Sequence, residues 1–143
     1  MYAITTYFCY TRLHMIYIYK TALAAISFAI LDFLWIGLLF KNLYAKLLTP
    51  AIGAMRFNLG PAVFVYILLG LGVTFFSTKA GMSPLAALGL GALLGFITYG
   101  VYDGTNMATI ANWPLQFAAL DIFWGTIATA LVSFFVAYVF TKF

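Results

Sequence analysis

Glutamate is absent from this chain of 143 residues, and cysteine and histidine occur once each, as Cys9 and His14. One cysteine excludes a disulfide framework, and one histidine leaves no Cys/His cluster for zinc or haem. Charge is scarce: 7% of residues are charged, where a soluble domain carries about 25%. That excludes a water-soluble globule, and disorder goes with it. Seven scattered basic residues stand against three acids, so no basic patch for nucleic acid forms and none is expected as a partner. What is there is apolar, with 66% hydrophobic and 20% aromatic residues. The composition is that of an integral membrane protein, with the lipid bilayer as its first partner.

The gaps between charges set the spans. Thr21 to Phe40 is 20 residues with one charge, Asp32. Phe57 to Thr78 is 22 residues with none, and Ala80 to Tyr102 is 23 with none. Gly104 to Thr141 is 38 residues with only Asp121. A helix crosses the hydrocarbon core in about 20 apolar residues, so each stretch holds one crossing and the last adds a connector. Loops and open strands cannot lie against lipid, and a barrel would show short alternating segments. The expected fold class is all-α: a polytopic membrane protein with four transmembrane helices in a compact bundle, over 21–40, 59–78, 84–106 and 115–139.

Local signals refine this. Ser83-Pro84 reads as an N-cap followed by proline at the first helical position. Pro61 and Pro114 mark the starts of the second and fourth helices, with Asn112 and Trp113 in a polar, interfacial turn. Residues 41–56, with Lys41, Lys46 and Arg56, are too few to cross and are expected as an interfacial helix between helices 1 and 2. Residues 1–20 carry five tyrosines interrupted by Arg12 and His14. They read as an interfacial tail without the basic leader of a signal peptide, which leaves 21–143 as the transmembrane domain. The face shared by the termini carries Arg12, Lys20, Lys79 and Lys142, and the opposite face Lys41, Lys46 and Arg56. Four against three favours cytoplasmic termini by a single charge.

All three acids fall inside or at the end of a span. An aspartate near a helix centre costs about 2.5–3.5 kcal/mol on insertion scales, so Asp32, Asp103 and Asp121 need partners, water or protons. Asp32 lies about 12 Å before the end of helix 1, and Asp121 about 9 Å into helix 4. Asp103 occupies the last turn of helix 3. All three therefore belong to the same half of the bilayer, and a compact bundle can bring them together. Tyr99, Tyr102, Asp103 and Asn106 share one helix face, with Thr105 nearby. Asp32 is followed three residues on by Trp35, and Asp121 by Trp124, so each pair shares a face. An indole N–H can donate to a carboxylate or wall off a pocket. The proton- or cation-handling candidates are thus Asp32, Asp103 and Asp121, lined by Trp35, Tyr99, Tyr102, Asn106 and Trp124. The plainer role for buried polar groups is interhelical glue, worth on average about 0.6 kcal/mol per bond. Asn or Ser would do that at lower cost. Gly91-x-x-x-Gly95 reads as a packing seam, and Lys41 and Lys46 as side chains that snorkel or reach toward Asp32.

The strings LDFLWIG (31–37), YGVYDGTNMATIANWPL (99–115) and LDIFWGTIATALVS (120–133) resemble a family of small bacterial membrane proteins known only as a domain of unknown function. The resemblance covers about residues 15–141. Its pattern runs through Asp32, Trp35 and Gly37, then Lys41 and Tyr44, then Tyr102, Asp103, Thr105 and Asn106, then Asp121, Trp124 and Gly125. Family members begin close to Met15, so residues 1–14 are expected to be an extension; without them the basic count is three against three. The resemblance implies a four-helix membrane protein of the bacterial cytoplasmic (inner) membrane and no particular activity.

Three functions fit. Membrane carboxylates are the usual groups of proton relays and cation pathways, so a small proton- or cation-coupled transporter or channel comes first. Four helices enclose little, which implies a homodimer. An intramembrane enzyme acting on a lipid or isoprenoid could use the same carboxylates for acid–base work or to hold a hard cation such as Mg²⁺, with Lys41, Lys46 and Arg56 drawing an anionic headgroup. It lacks a nucleophile–base pair and any known metal spacing. The third is an accessory subunit of a larger membrane complex. No cofactor is specified by the residues.

Overall fold

The computed structural model describes residues 2–54 and 56–141, with side chains from residue 14 onward. Among those residues all regular secondary structure is helical. Helix α1 runs Tyr2–Asp32 and continues as a wider π-helical segment, Phe33–Leu39. Helix α2 is Lys41–Ile52, closed by Gly53 at a positive φ of 77°. Helix α3, Leu59–Gly72, also ends in a π-helical turn, Val73–Ser77. Helices α4 (Pro84–Thr109) and α5 (Leu115–Phe140) complete the chain. Four of these segments are long and apolar enough to cross a membrane: His14–Leu39, Leu59–Ser77, Pro84–Thr109 and Leu115–Phe140. The expected four-span, all-α membrane bundle is the fold, and α2, at 12 residues or about 18 Å, is the short helix between the first two spans.

Helix starts follow capping chemistry. Ser83 Oγ accepts from the Ala86 N–H at 3.2 Å with Pro84 next in line, and Asn58 Oδ1 accepts from the Gly60 N–H at 3.2 Å. The first span extends back past Thr21 and already includes His14, the first residue with a described side chain, because Lys20 does not end it. Lys20 is buried and donates to the Thr78 carbonyl at 2.6 Å. The side chains of the expected tail up to residue 13 lie outside the described residues. Likewise α4 runs past Asn106 to Thr109.

Helix α5 is the centre of the bundle, and its most extensive partner is α4. The seam between them has a four-residue period on both sides. A Cβ on Gly91 would meet Ser133 and, at 2.7 Å, the Thr129 carbonyl. One on Gly95 would meet the Gly125 carbonyl and, at 2.9 Å, Thr126 Cα and Thr129 Cβ. One turn on the relation inverts, and the Tyr99 ring occupies the space where a Gly125 Cβ would lie. One turn further the row reaches Asp103 on α4 and Asp121 on α5. The backbones meet where a small residue faces a larger one, as helix packing without a hydrophobic drive requires. Ala24, Phe28, Val73, Trp124, Ala128, Val132 and Val136 form the main core. Tyr44, Leu48, Trp113, Phe117 and Ala118 form a second cluster under α2. Large apolar side chains such as Ile26, Ile30, Phe64, Phe96 and Phe123 face outward, as lipid-facing positions do.

Candidate functional site

The seam ends at a pair of carboxyls. Asp103 is fully buried and Asp121 is 7% exposed. Their side chains face each other within hydrogen-bonding reach. Trp113 Nε1 donates to Asp103 Oδ1 at 3.1 Å, and Asp103 Oδ2 is buried with no donor. With both acids ionised nothing can satisfy that oxygen; one proton shared between the carboxyls can. Asp121 Oδ1 accepts from the Tyr44 hydroxyl at 3.2 Å, and that hydroxyl in turn accepts from Trp35 Nε1 at 3.2 Å.

Asp32 stands beside this pair without joining it. Trp124 Nε1 donates to Asp32 Oδ1 at 2.9 Å, and the Tyr66 hydroxyl of α3 is within reach of the same carboxylate. The Trp35 and Trp124 rings stack flat, with centroids 4.2 Å apart and planes 2° from parallel. The three acids thus lie at one end of the bundle, as their depths imply. Two of them meet, and the third connects through stacked indoles and Tyr44. Among the described residues no three Asp, Glu, His or Cys side chains group as a metal site.

The two Asp–Trp pairs exchange partners. Trp124 leaves Asp121, on its own helix, and serves Asp32. Trp35 serves Tyr44 rather than Asp32, because the chain passes into the π-helical segment straight after Asp32. A wider turn rotates each residue less than an α-helix does, which takes Trp35 off the face that three-residue spacing would give it. Tyr99 sits over Gly125, within electrostatic range of Asp32 and Asp121. Tyr102 is 53% exposed and meets Trp113 edge-on at 6.1 Å, with Asn106 in reach, so these two lie at the rim. Thr105, Lys41 and Lys46 are exposed.

Three site residues escaped the sequence reading. Trp113 was expected in an interfacial turn but is buried. Asn112 takes a left-handed φ of 62°, a conformation asparagine tolerates, and the chain folds Trp113 back onto Asp103. Tyr44 enters because α2 buries Tyr44 and Leu48, four residues apart on one face. Tyr66 carries no local signal among the apolar residues of α3. Burial, and then the charge of Asp121 beside it, pushes the Tyr44 hydroxyl well above its ordinary 10.0. Tyr44 is therefore a fixed donor to Asp121.

These features define a small four-span helical membrane protein with a carboxyl pair shielded by indole and phenol donors. The family model described as predicted membrane protein (DUF2177) matches residues 15–138, and the chain belongs to that family. No curated protein and no solved structure matches it.

Proposed function

We propose that the chain handles protons within the membrane, as a small proton- or cation-coupled transporter or channel, with Asp103 and Asp121 as the binding pair and Asp32 as the neighbouring carboxylate on the route. The observation that carries this is a buried Asp103 carboxyl, its Oδ2 without a donor, within hydrogen-bonding reach of the Asp121 carboxyl. Two carboxyls at that range hold one proton between them, as like charges in contact cannot both ionise without cost. The neighbours favour a proton over a metal cation: Trp113 and Tyr44 offer hydrogens to the carboxylates, where a cation would need oxygen acceptors.

In this reading Tyr44 and Trp113 hold the two carboxylates in place as the proton arrives and leaves. Trp35 and Trp124, stacked between Asp121 and Asp32, keep water and lipid from the pair. Four spans enclose little space, so a homodimer or larger membrane complex completes the pathway. The membrane in question is the bacterial inner membrane.

The test is proton flux into liposomes containing the purified protein and a trapped pH-sensitive dye. Flux in the wild type that is lost in Asp103→Asn and Asp121→Asn, with helicity and thermal unfolding retained, supports the reading. Absence of flux, or flux unchanged in both variants, defeats it. An altered lipid profile in expressing cells without flux would point to a lipid enzyme instead. A fixed co-purifying partner, with both variants tolerated, would point to a subunit.

A further inference from the structure

At the opposite end of the bundle lies a buried charge with no partner of opposite sign among the described residues. Lys20 is 8% exposed, donates one hydrogen to the Thr78 carbonyl at 2.6 Å, and lies 5.6 Å from the centre of the Phe140 ring. A backbone carbonyl and a ring face do not neutralise an ammonium. The chain has only three acidic side chains, all Asp. Asp32 is twelve residues further along the same helix, about 18 Å away, and Asp103 and Asp121 share the Asp32 end. A buried charge needs a counter-charge, because desolvation without one is costly. Lys20 lines a cavity of about 480 Å³ together with Lys79, Ser83, Met82 and Phe140. The N-terminus of the 26-residue α4 opens onto the same cavity and adds positive potential.

We propose that this cavity binds a phosphate-bearing anion, with Lys20 as the buried contact and Lys79 as the outer one. The cavity mixes these cations with Met82, Pro84, Ala137 and Phe140, and it sits where two spans end and one begins. Both features fit the headgroup of an anionic phospholipid with its acyl chains on the apolar rim. Free phosphate shares the recognised chemistry.

The purified protein in detergent is titrated with phosphatidylglycerol, and separately with sodium phosphate, and bound copies are counted by native mass spectrometry. At least one probe binds the wild type. Lys20→Gln, whose amide can still donate to the Thr78 carbonyl, weakens that binding by about tenfold or more, the loss expected for a charge-assisted contact. Lys20→Arg restores most of it, which a purely structural Lys20 would not explain. The probe that binds identifies the source. Equal binding of both probes by wild type and Lys20→Gln overturns the site. A Gly-Ser extension after Phe143 displaces the terminal carboxylate; binding that rises with the extension would make that carboxylate the counter-ion and equally overturn the proposal.

Discussion

Asp103→Asn should stabilise this protein. In the wild type, Asp103 Oδ1 accepts from Trp113 Nε1 at 3.1 Å, Oδ2 has no donor, and the Asp121 carboxyl is within hydrogen-bonding reach of the side chain. An asparagine in the same place keeps its oxygen toward the indole and turns its amide nitrogen toward Asp121. An orphaned acceptor beside a like charge becomes an N–H donor to a carboxylate. Bonds to charged groups are worth about 1.5–3 kcal/mol net. At this chain length each kcal/mol moves the unfolding midpoint by about 2–4 °C, so the variant gains about 3–12 °C at alkaline pH. At acid pH a proton between the wild-type carboxyls does the work of the amide, and the difference closes. The assay is thermal unfolding in detergent across a pH series, followed by tryptophan fluorescence. A variant no more stable than the wild type at any pH, or a difference independent of pH, would refute the facing-carboxyl geometry.

The seam gives a second expectation: Gly125→Ala places a methyl on the Tyr99 ring and costs about 1–3 kcal/mol. Gly100→Ala and Gly104→Ala, which meet nothing within 4 Å, should not destabilise; equal unfolding midpoints for Gly125→Ala and these controls would contradict the packing. Trp124→Phe removes the indole donor to Asp32 at a cost of about 1.5–3 kcal/mol. In a double-mutant cycle with Asp32→Asn the two changes should couple, and strict additivity would deny the bond. Tyr44 keeps its proton in the folded state beyond the pH at which an unfolded tyrosine ionises. Its contribution to stability is complete below pH 10.0 and is lost as pH rises through the higher folded value. Tyrosinate absorbance titrations of wild type and Tyr44→Phe should therefore coincide through the ordinary range, and extra wild-type amplitude there would be the contrary result.

The bundle is legible in the sequence because charge is so rare that its gaps outline the helices. That logic failed at Lys20, where the charge is held inside by the Thr78 carbonyl and the helix continues through it. The common depth of the three acids is legible too, since helical rise and span order place Asp32, Asp103 and Asp121 at one end. Their partners are not. Spacing assigns Trp35 to Asp32, but local backbone geometry decides otherwise, and nothing in FLWIGLL announces a π-helical segment. Tyr44 and Trp113 reach the site through a short helix and a left-handed turn, which are tertiary outcomes. Tyr44 already stands in the pattern shared with the family, after a basic residue, and that was the one signal pointing to it.

The seam explains why two acids face each other at all. Going up α4 from Gly91 in steps of four and down α5 from Ser133 in the same steps, each pairing fixes the next: Gly91 against Ser133, Gly95 against Thr129, Tyr99 over Gly125. With those contacts made, Asp103 and Asp121 have no freedom to avoid each other. Sliding α4 by one turn would take Tyr99 off Gly125 and set it against Asp121 or Thr129, where no such space is left for the ring. Packing here therefore works against electrostatics, and packing wins. Asparagine at either position would suit the same seam at lower cost, since its amide supplies the donor that Asp103 Oδ2 lacks. A buried pair that is costlier than its nearest isostere, held by indole and phenol donors on both outer sides, adds little to the strength of the bundle, and that is the physical ground for the proposed proton handling.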